Sequence, residues 1–231
     1  MSRSSNLIEQ PAVLTLKFKG EKYDKKKKEV TQEAGWYSYD KNANDGEGAN
    51  VAHPLPLTFM WLENAQSFTG FNSKTEKGFY SNEILNSPDA IKKYGKQKLH
   101  LKTDGETVLS GYYADIKEEA KGMGAKFCIP LYAAMEVEGE WKVVRFLMTG
   151  ASGSAWMSFN DRSKNLTHAI VCHDIIDVDM KTGDSYKAPV FQYVKATSEQ
   201  IEAADRLVTS VDEYFDYILS DVQEPVEATD Y

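Results

Sequence analysis

Alternation of apolar and polar residues dominates the chain as far as residue 198. In AVLTLKFK (12–19) every second residue is apolar, and in KLHLKT two leucines alternate with Lys98, His100 and Lys102. A period of two predicts strands that bury one face. The run HPLPLTFMWL is almost wholly apolar, and we expect it to form a buried strand that is entered through an extended proline segment.

Further strands follow at short intervals. AKFCIPLYAAMEV and KVVRFLMTG flank a glycine and predict a hairpin. QSFTGF, SAWMSF, HAIVCHDIIDVDM and VFQYV also predict strands, and GASGSAW predicts a tight turn. Short helices are predicted over 82–93, capped near Ser81, and over ADIKEEAKGMG, ended by a glycine. Many short strands separated by Gly and Asn turns favour a mainly β barrel or sandwich.

The C-terminal part of the chain has a different pattern. Over residues 199–221, apolar positions recur at steps of three and four, which predicts an amphipathic helix. Thr197 and Gln200 have the spacing of a capping box. The last stretch, VQEPVEATDY, is polar and contains proline, so we expect residues 222–231 to be a flexible, disordered tail. The predicted organisation is therefore a body over 1–198, a helix over 199–221 and an acidic tail.

The net charge is concentrated at the C-terminal end. The whole chain carries −8, and residues 199–231 hold ten acidic residues against one arginine, a net of −9. The body over 1–198 therefore carries +1. The negative net charge of the whole chain does not exclude a polyanionic partner, because almost all of that charge lies outside the body.

Length and composition set the broad class. A chain of 231 residues with 42% hydrophobic and 27% charged residues is ordinary for a globular domain. No apolar run reaches about 18 residues, so we expect no membrane span, and the first residues have no apolar signal segment. Cys128 and Cys172 are far apart, which favours buried thiols in a reducing compartment.

Catalytic motifs are sparse. GASGSAW lacks the Gly-Lys-Ser/Thr ending of a phosphate loop. HAIVCHD contains His168, Cys172 and His173, but zinc sites show paired short spacings in two places. We therefore expect no metal, no cofactor and no catalysis. An enzyme that uses this strand through a bound metal or a reactive thiol remains an alternative.

Lysines and aromatic rings are mixed throughout residues 69–132. The stretch TGFNSKTEKGFYSNEI (69–84) is too polar for a core strand and too aromatic for a plain surface loop. A protein that binds single-stranded nucleic acid without reading its sequence needs cations along the backbone and flat rings under the bases. The segment supplies both types in Phe71, Lys74, Lys77, Phe79, Tyr80, Lys98, Lys102, Tyr112, Tyr113 and Lys126. Aromatic residues of a β protein are also expected in its core, so both interpretations stay open.

Three runs carry a resemblance to a known family: LPLTFMWLENAQSFTGFNSKTEKGFYSNEI, LSGYYADIKEEAKGMGAKF and GASGSAWMSF. Across residues 36–160 the chain resembles bacteriophage single-stranded DNA-binding proteins built on an OB-fold. The resemblance implies a five-stranded barrel elaborated with extra strands, and a groove for single-stranded DNA used in phage DNA replication, recombination or repair in the host cytoplasm. It adds Trp156 to the expected nucleic-acid contacts.

The end of the chain, EATDY, is similar to the tails of replicative single-strand binders, although those often end in Phe. An acidic tail can compete with DNA for the binding groove, or it can serve only for solubility, and both interpretations stay open. The similarity implies that Glu224, Glu227, Asp230 and Tyr231 contact replication proteins. The alternative interpretation is a structural or assembly protein with a β-barrel body that oligomerises through the C-terminal helix.

Overall fold

The structure, a computed structural model, describes residues 10–24, 26–41, 48–72, 75–180 and 183–220. The fold is mainly β, with 51% strand against 28% helix, as the alternating pattern predicts. The predicted disorder of residues 222–231 lies outside the described residues. Within the described part, no helix is both long enough and apolar enough to cross a membrane.

Fourteen strands are present in the described residues. The first seven are β1 (Leu14–Lys19), β2 (Lys22–Asp24), β3 (Glu29–Gln32), β4 (Gly35–Asp40), β5 (Ala49–His53), β6 (Leu57–Asn64) and β7 (Ser67–Asn72). The others are β8 (Lys77–Ser81), β9 (Leu99–Thr103), β10 (Glu106–Gly111), β11 (Ala125–Val137), β12 (Glu140–Thr149), β13 (His168–Asp179) and β14 (Ser185–Lys195).

Twelve of these strands form one branched, mixed sheet with β11 at its centre. The first part of β11 pairs with β7, its later part pairs with β6, and its other edge pairs with β12. The sheet continues from β7 through β8 and β9 to β10, from β6 through β13 to β14, and from β12 through β1 and β4 to β5. All of these pairs are antiparallel except β1 with β12. Strands β2 and β3, in a lysine-rich part of the sequence, pair with each other as a separate two-stranded hairpin.

The sheet curls around its main core. Leu16, Trp36, Phe59 and Phe146 come from four different strands and are fully buried in one cluster. The two ends of the curl approach where Trp36 Nε1 on β4 donates to Cys172 Sγ on β13, at 3.4 Å. Among the described strands no pairing closes the curl, so the closed five-stranded barrel that the resemblance implies is not formed by hydrogen bonds here.

Five helices are described: α1 (Pro88–Tyr94), α2 (Tyr113–Met123), α3 (Gly150–Phe159), α4 (Arg162–Asn165) and α5 (Ser198–Ser220). The helix predicted over 82–93 begins later than expected, because Ser87 is the cap: its side chain accepts from Ala90 N at 3.2 Å. Residues 82–86 precede the helix as irregular backbone. Helix α2 is present as predicted and ends at Gly124.

The predicted turn and strand over residues 150–159 are wrong, because this segment is helix α3. Ser152 Oγ accepts from Thr149 N at 3.1 Å and so satisfies a backbone donor at the helix start. A Cβ at Gly153 would sit 3.3 Å from the Met148 carbonyl oxygen, a tight contact where β12 leads into α3. A run of Gly, Ala and Ser has too little apolar contrast to reveal a helical period.

Helix α5 confirms the C-terminal prediction. Thr197 and Gln200 form the capping box, with Gln200 N donating to Thr197 Oγ1 at 3.2 Å and Thr197 N donating to Gln200 Oε1 at 2.9 Å. Its buried residues, Ala203, Ala204, Val211, Phe215 and Leu219, pack against β6, β11 and β12. Most of the apolar stripe is therefore covered by the body of the same chain, whereas Ile201 near the helix start is 38% exposed.

Candidate nucleic-acid interface

The β7–β8 hairpin sorts its aromatic rings onto two faces. Phe68 and Phe79 point inward and are 3% and 7% exposed, in a cluster with α2 and β9. Phe71 and Tyr80 point outward and are 61% and 50% exposed. Since successive side chains of a strand alternate between faces, the same short segment supplies both core rings and surface rings.

Strand pairing builds one row of side chains on the outward side. Lys126 lies opposite Thr69, Thr69 opposite Tyr80, Tyr80 opposite Lys102, and Lys102 opposite Thr107. Directly opposed residues share a face, so we call this row, together with Phe71, the outer face.

The row places a tyrosine between two lysines. Three strand spacings separate Lys126 from Lys102, or about 14 Å, and the whole row spans about 19 Å. Its members are lysine, threonine and tyrosine, so it carries positive charge with no carboxylate. Flat rings flanked by cations are the groups that single-stranded nucleic acid requires.

Glycine lets β7 approach β11 closely enough for this row to form. A Cβ at Gly70 would lie 2.4 Å from the Gly124 carbonyl oxygen, closer than any side chain tolerates. Gly78 lies opposite Phe71, and a Cβ there would meet nothing within 4 Å. The Phe71 ring therefore has open space on the β8 side.

Ser81 and Asn82 fasten the strands that carry the outer face. Ser81 Oγ accepts from Phe68 N at 2.8 Å, which joins β8 to β7. Asn82 Oδ1 accepts from His100 N at 2.7 Å, and its Nδ2 donates to the Lys98 carbonyl at 3.0 Å. These bonds hold the start of β9 in register with β8, so the position of Lys102 beside Tyr80 is locally determined.

A buried ionic network anchors the end of this segment to the body. Glu83 is 9% exposed; its carboxylate accepts from Arg145 Nη1 at 2.8 Å and from the Tyr132 hydroxyl at 2.5 Å. Burial raises the pKa of the Glu83 carboxyl above its ordinary value, and Arg145 opposes that rise. Removing one partner of such a pair leaves a buried charge and is strongly destabilising.

At Lys126 the outer face borders a cleft of about 430 Å³. Tyr186 and Lys187 of β14 form part of its wall, and the Lys187 ammonium lies 2.8 Å from Asp177. Lys126 and Lys187 both line the cleft, but Glu21 and Asp177 line it too, so the cleft does not extend the positive surface of the row.

Three predicted contact residues lie away from the outer face, on the inward side of the sheet. Trp156 is 1% exposed within α3 and packs against Phe191, with ring centroids 5.6 Å apart. The Tyr113 ring lies 5.0 Å from that of Phe127, and Tyr112 is the cap residue of α2. These three rings are therefore not part of the outer face, because their elements cover the opposite side of β7 and β11.

The prediction that Phe79 stacks on a base is also corrected, because its ring lies in the core and is not accessible for stacking. Lys77 is on the face opposite Tyr80, and its ammonium lies 2.9 Å from Asp104, which raises its pKa. Lys98 precedes β9 and is half-buried. Lys74 and the tail residues Glu224, Glu227, Asp230 and Tyr231 lie outside the described residues.

Sequence reasoning missed the residues that position the outer face. Thr69 and Thr107 complete the row, and Ser81 and Asn82 hold its strands, but none of the four has a charge or ring to single it out. Only the pairing of distant strands reveals their places. The NE dipeptide after FYS was assigned to a helix start, whereas Asn82 bonds to β9.

The two cysteines are buried and unpaired. Burial raises the pKa of each thiol from an ordinary 9.0 to about 11. His173 is exposed on the strand that carries Cys172. Within the described part of the chain, no group of three or more His, Cys, Asp and Glu side chains is arranged to hold a metal ion.

Comparisons with protein-family models, with curated proteins and with solved structures give no match to this chain.

Proposed function

We propose that this chain binds single-stranded DNA, without sequence preference, along the outer face. The observation that carries the proposal is the exposed Tyr80 ring held between Lys102 and Lys126 in one row of the sheet. The ring stacks under a base and the two ammonium groups contact phosphates. Stacking contributes about 1–3 kcal/mol per base and tolerates any base, because every base has a π-face.

The proposed biological setting is phage DNA replication, recombination or repair in the cytoplasm of an infected bacterium. The resemblance across residues 36–160 supports this setting, and the curled strands around Trp36 and Phe146 support an elaborated OB-type barrel as the underlying fold. The acidic tail is proposed to contact replication proteins.

The burial and the raised pKa of the thiols favour a binding role over the enzyme alternative. A nucleophilic cysteine needs a lowered pKa and an accessible sulfur. Cys172, on the strand that suggested catalysis, is fully buried, accepts from Trp36, and has a thiol pKa raised to about 11. At neutral pH this thiol is protonated and enclosed.

The assembly alternative assigned oligomerisation to the C-terminal helix. Phe215 and Val211 of α5 are 1% and 0% exposed within a single chain, so the apolar stripe already has a partner. A second copy would have to displace the body from its own helix. We therefore favour nucleic-acid binding.

Titration of a labelled oligo-dT at two salt concentrations tests the proposal. The expected result is binding that weakens with salt, with log K falling against log[salt] at a slope of about −0.7 for each phosphate neutralised. Light scattering on the same samples measures the mass of the protein. Large stable assemblies with no affinity for oligo-dT would instead support the assembly alternative.

A further inference from the structure

A second group of lysines lies on β1 and at the start of the β2–β3 hairpin. Lys17 is exposed and lies opposite Tyr37 on β4, and Lys19, two residues further along β1, is half-buried. Lys22 is exposed at the first position of β2. We call these three lysines, together with Tyr37, the β1 patch. None of its members is among the contact residues predicted from the sequence.

The ammonium group of Lys19 has contacts that do not neutralise its charge. It lies 5.6 Å from the centre of the Tyr37 ring and donates a hydrogen bond to Asn50 Oδ1 on β5. Burial lowers the pKa of Lys19 below its ordinary value, and the charges of Lys22 and Lys17 lower it further. Positive charges held this close together attract a polyanion.

Carboxylates lie nearby, on the side of the cleft. Glu21 and Asp177 line the cleft of about 430 Å³ together with Lys187. The pKa of Lys187 is raised by its hydrogen bond to Asp177 and further by the charges of Glu21 and Glu33. These carboxylates therefore interact with the lysine of β14, and we place no phosphate in the cleft.

Strand register puts the β1 patch on the same side of the sheet as the outer face. Along β11, Cys128 is two residues from Lys126, and it lies opposite Thr149 on β12. Two residues back along β12 is Leu147, which lies opposite Lys17. Residues two apart on a strand share a face, as do residues opposite each other on paired strands. Lys126 and Lys17 therefore point to the same side.

The β1 patch is also close to the end of the outer face. Lys19 is two residues beyond Lys17, as Thr149 is beyond Leu147, so Lys19 is two strand spacings and about two residues away from Lys126. These offsets are about 10 Å and about 7 Å, which gives a separation of about 12 Å. A polyanion that passes Lys126 therefore meets the β1 patch next, which favours a single strand as its partner.

We propose that the β1 patch is a second phosphate-contact surface for the single strand that binds the outer face. Its three ammonium groups contact phosphates of the nucleotides that follow those at Lys126, so the strand continues around the outside of the curled sheet. Tyr37 holds Lys19 in position and contacts no base. The inference rests on the proposed function, which supplies the strand, and it extends the binding site across β12 to β1.

Titration of the full-length protein with labelled oligo-dT of about 4 and about 16 nucleotides, which bracket the usual range of single-strand sites, tests the proposal. Lys17→Ala removes an exposed charge, and Lys19→Gln removes a half-buried charge but keeps a polar side chain. Lys142→Ala is the matched control, because that ammonium lies 3.1 Å from Glu140, on the other side of the sheet. Thermal melts establish that each variant is folded.

The longer oligonucleotide should report each contact of the β1 patch. Lys17→Ala and Lys19→Gln should each reduce the slope of log K against log[salt] by about 0.7, the value for one phosphate contact on a single strand. Lys142→Ala should leave that slope unchanged. The shorter oligonucleotide covers only the outer face, so neither β1-patch variant should change its slope.

The proposal is overturned if the longer oligonucleotide binds both β1-patch variants with the slope of the unmodified protein. The outer face then still stands, provided that Lys102→Ala lowers the slope. Equal reductions for both lengths, or an equal reduction in Lys142→Ala, also overturn it, because the lysines would then act through the total charge and not by contacts. If neither length binds, the proposed function fails and this inference fails with it.

Discussion

Tyr80 and Lys102 lie directly opposite each other on β8 and β9, with both side chains on the outer face of the sheet. Opposed residues on neighbouring strands are about 5 Å apart, so one nucleotide can place its base on the ring and its phosphate at the ammonium. Base stacking on Tyr80 and phosphate contact at Lys102 can therefore be tested by separate measurements.

The ring is tested by Tyr80→Ala. We expect oligo-dT affinity to fall by about 1–3 kcal/mol, because a stacking surface is lost, with the salt slope unchanged, because no charge is removed. Fluorescence anisotropy at several salt concentrations measures both quantities. An affinity equal to that of the unmodified protein would remove Tyr80 from the interface.

Phe79, the residue next to Tyr80, is buried, so its replacement tests stability. Phe79→Ala should lower the free energy of unfolding by about 3–5 kcal/mol, because a buried ring is replaced by a cavity. Phe71→Ala, on the exposed side of the same hairpin, is the matched control and should change stability by about 0.5 kcal/mol or less. Urea denaturation followed by circular dichroism measures both. Equal losses for the two variants would contradict the assignment of their faces.

The cations are tested through the salt dependence. Lys102→Ala and Lys126→Ala should each reduce the slope of log K against log[salt] by about 0.7, the value for one phosphate contact on a single strand. Lys142→Ala serves as the control, because that ammonium lies on β12 and is 3.1 Å from Glu140. A slope that stays constant in both outer-face variants would place the phosphates elsewhere.

The thiols give a prediction that is independent of DNA. Cys128 and Cys172 should not react with Ellman's reagent in the native protein at pH 8, and both should react in denaturant. Their folded pKa of about 11 exceeds the ordinary 9.0. The folded state therefore holds these protons more tightly than the unfolded state, and stability falls as pH rises between the two values.

The slope of that fall is at most about 1.4 kcal/mol per pH unit for each thiol. Urea denaturation from pH 8 to pH 10 measures it, and Cys172→Ala should reduce it while removing one reactive equivalent. A free energy of unfolding that is constant across this range would show that the thiols are not protected.

The tail is tested by deletion of residues 222–231. The deleted segment carries Glu224, Glu227 and Asp230, and under the proposed function their charges would compete with phosphates for the same lysines. We expect the truncated protein to bind oligo-dT more tightly in dilute buffer and almost equally near physiological salt, where the Debye length is about 8 Å. Identical affinities throughout a salt series would mean that the tail does not visit the DNA site.

Much of the fold could be predicted from short runs of sequence. The strand at 99–103, the 125–149 hairpin and the helix that begins at Ser198 all follow from residue periodicity, because a strand repeats every two residues and a helix every 3.6. Thr197 and Gln200 also marked the helix start correctly. Helix α3 escaped prediction because its small residues carry almost no periodic contrast.

For the candidate site too, some features follow from the sequence and others were decided only by the tertiary structure. The sequence by itself determined that lysines and rings are concentrated in residues 69–132, but it predicted no strand over residues 77–81 and so left Phe79 and Tyr80 in one set of contact residues. It did not determine which face is buried. That was decided by α2 covering one side of β7 and β8, by Gly70 packing on Gly124, and by Asn82 bonding to β9. A shift of one residue in strand register exchanges the two faces, and register depends on contacts between residues that are distant in the chain.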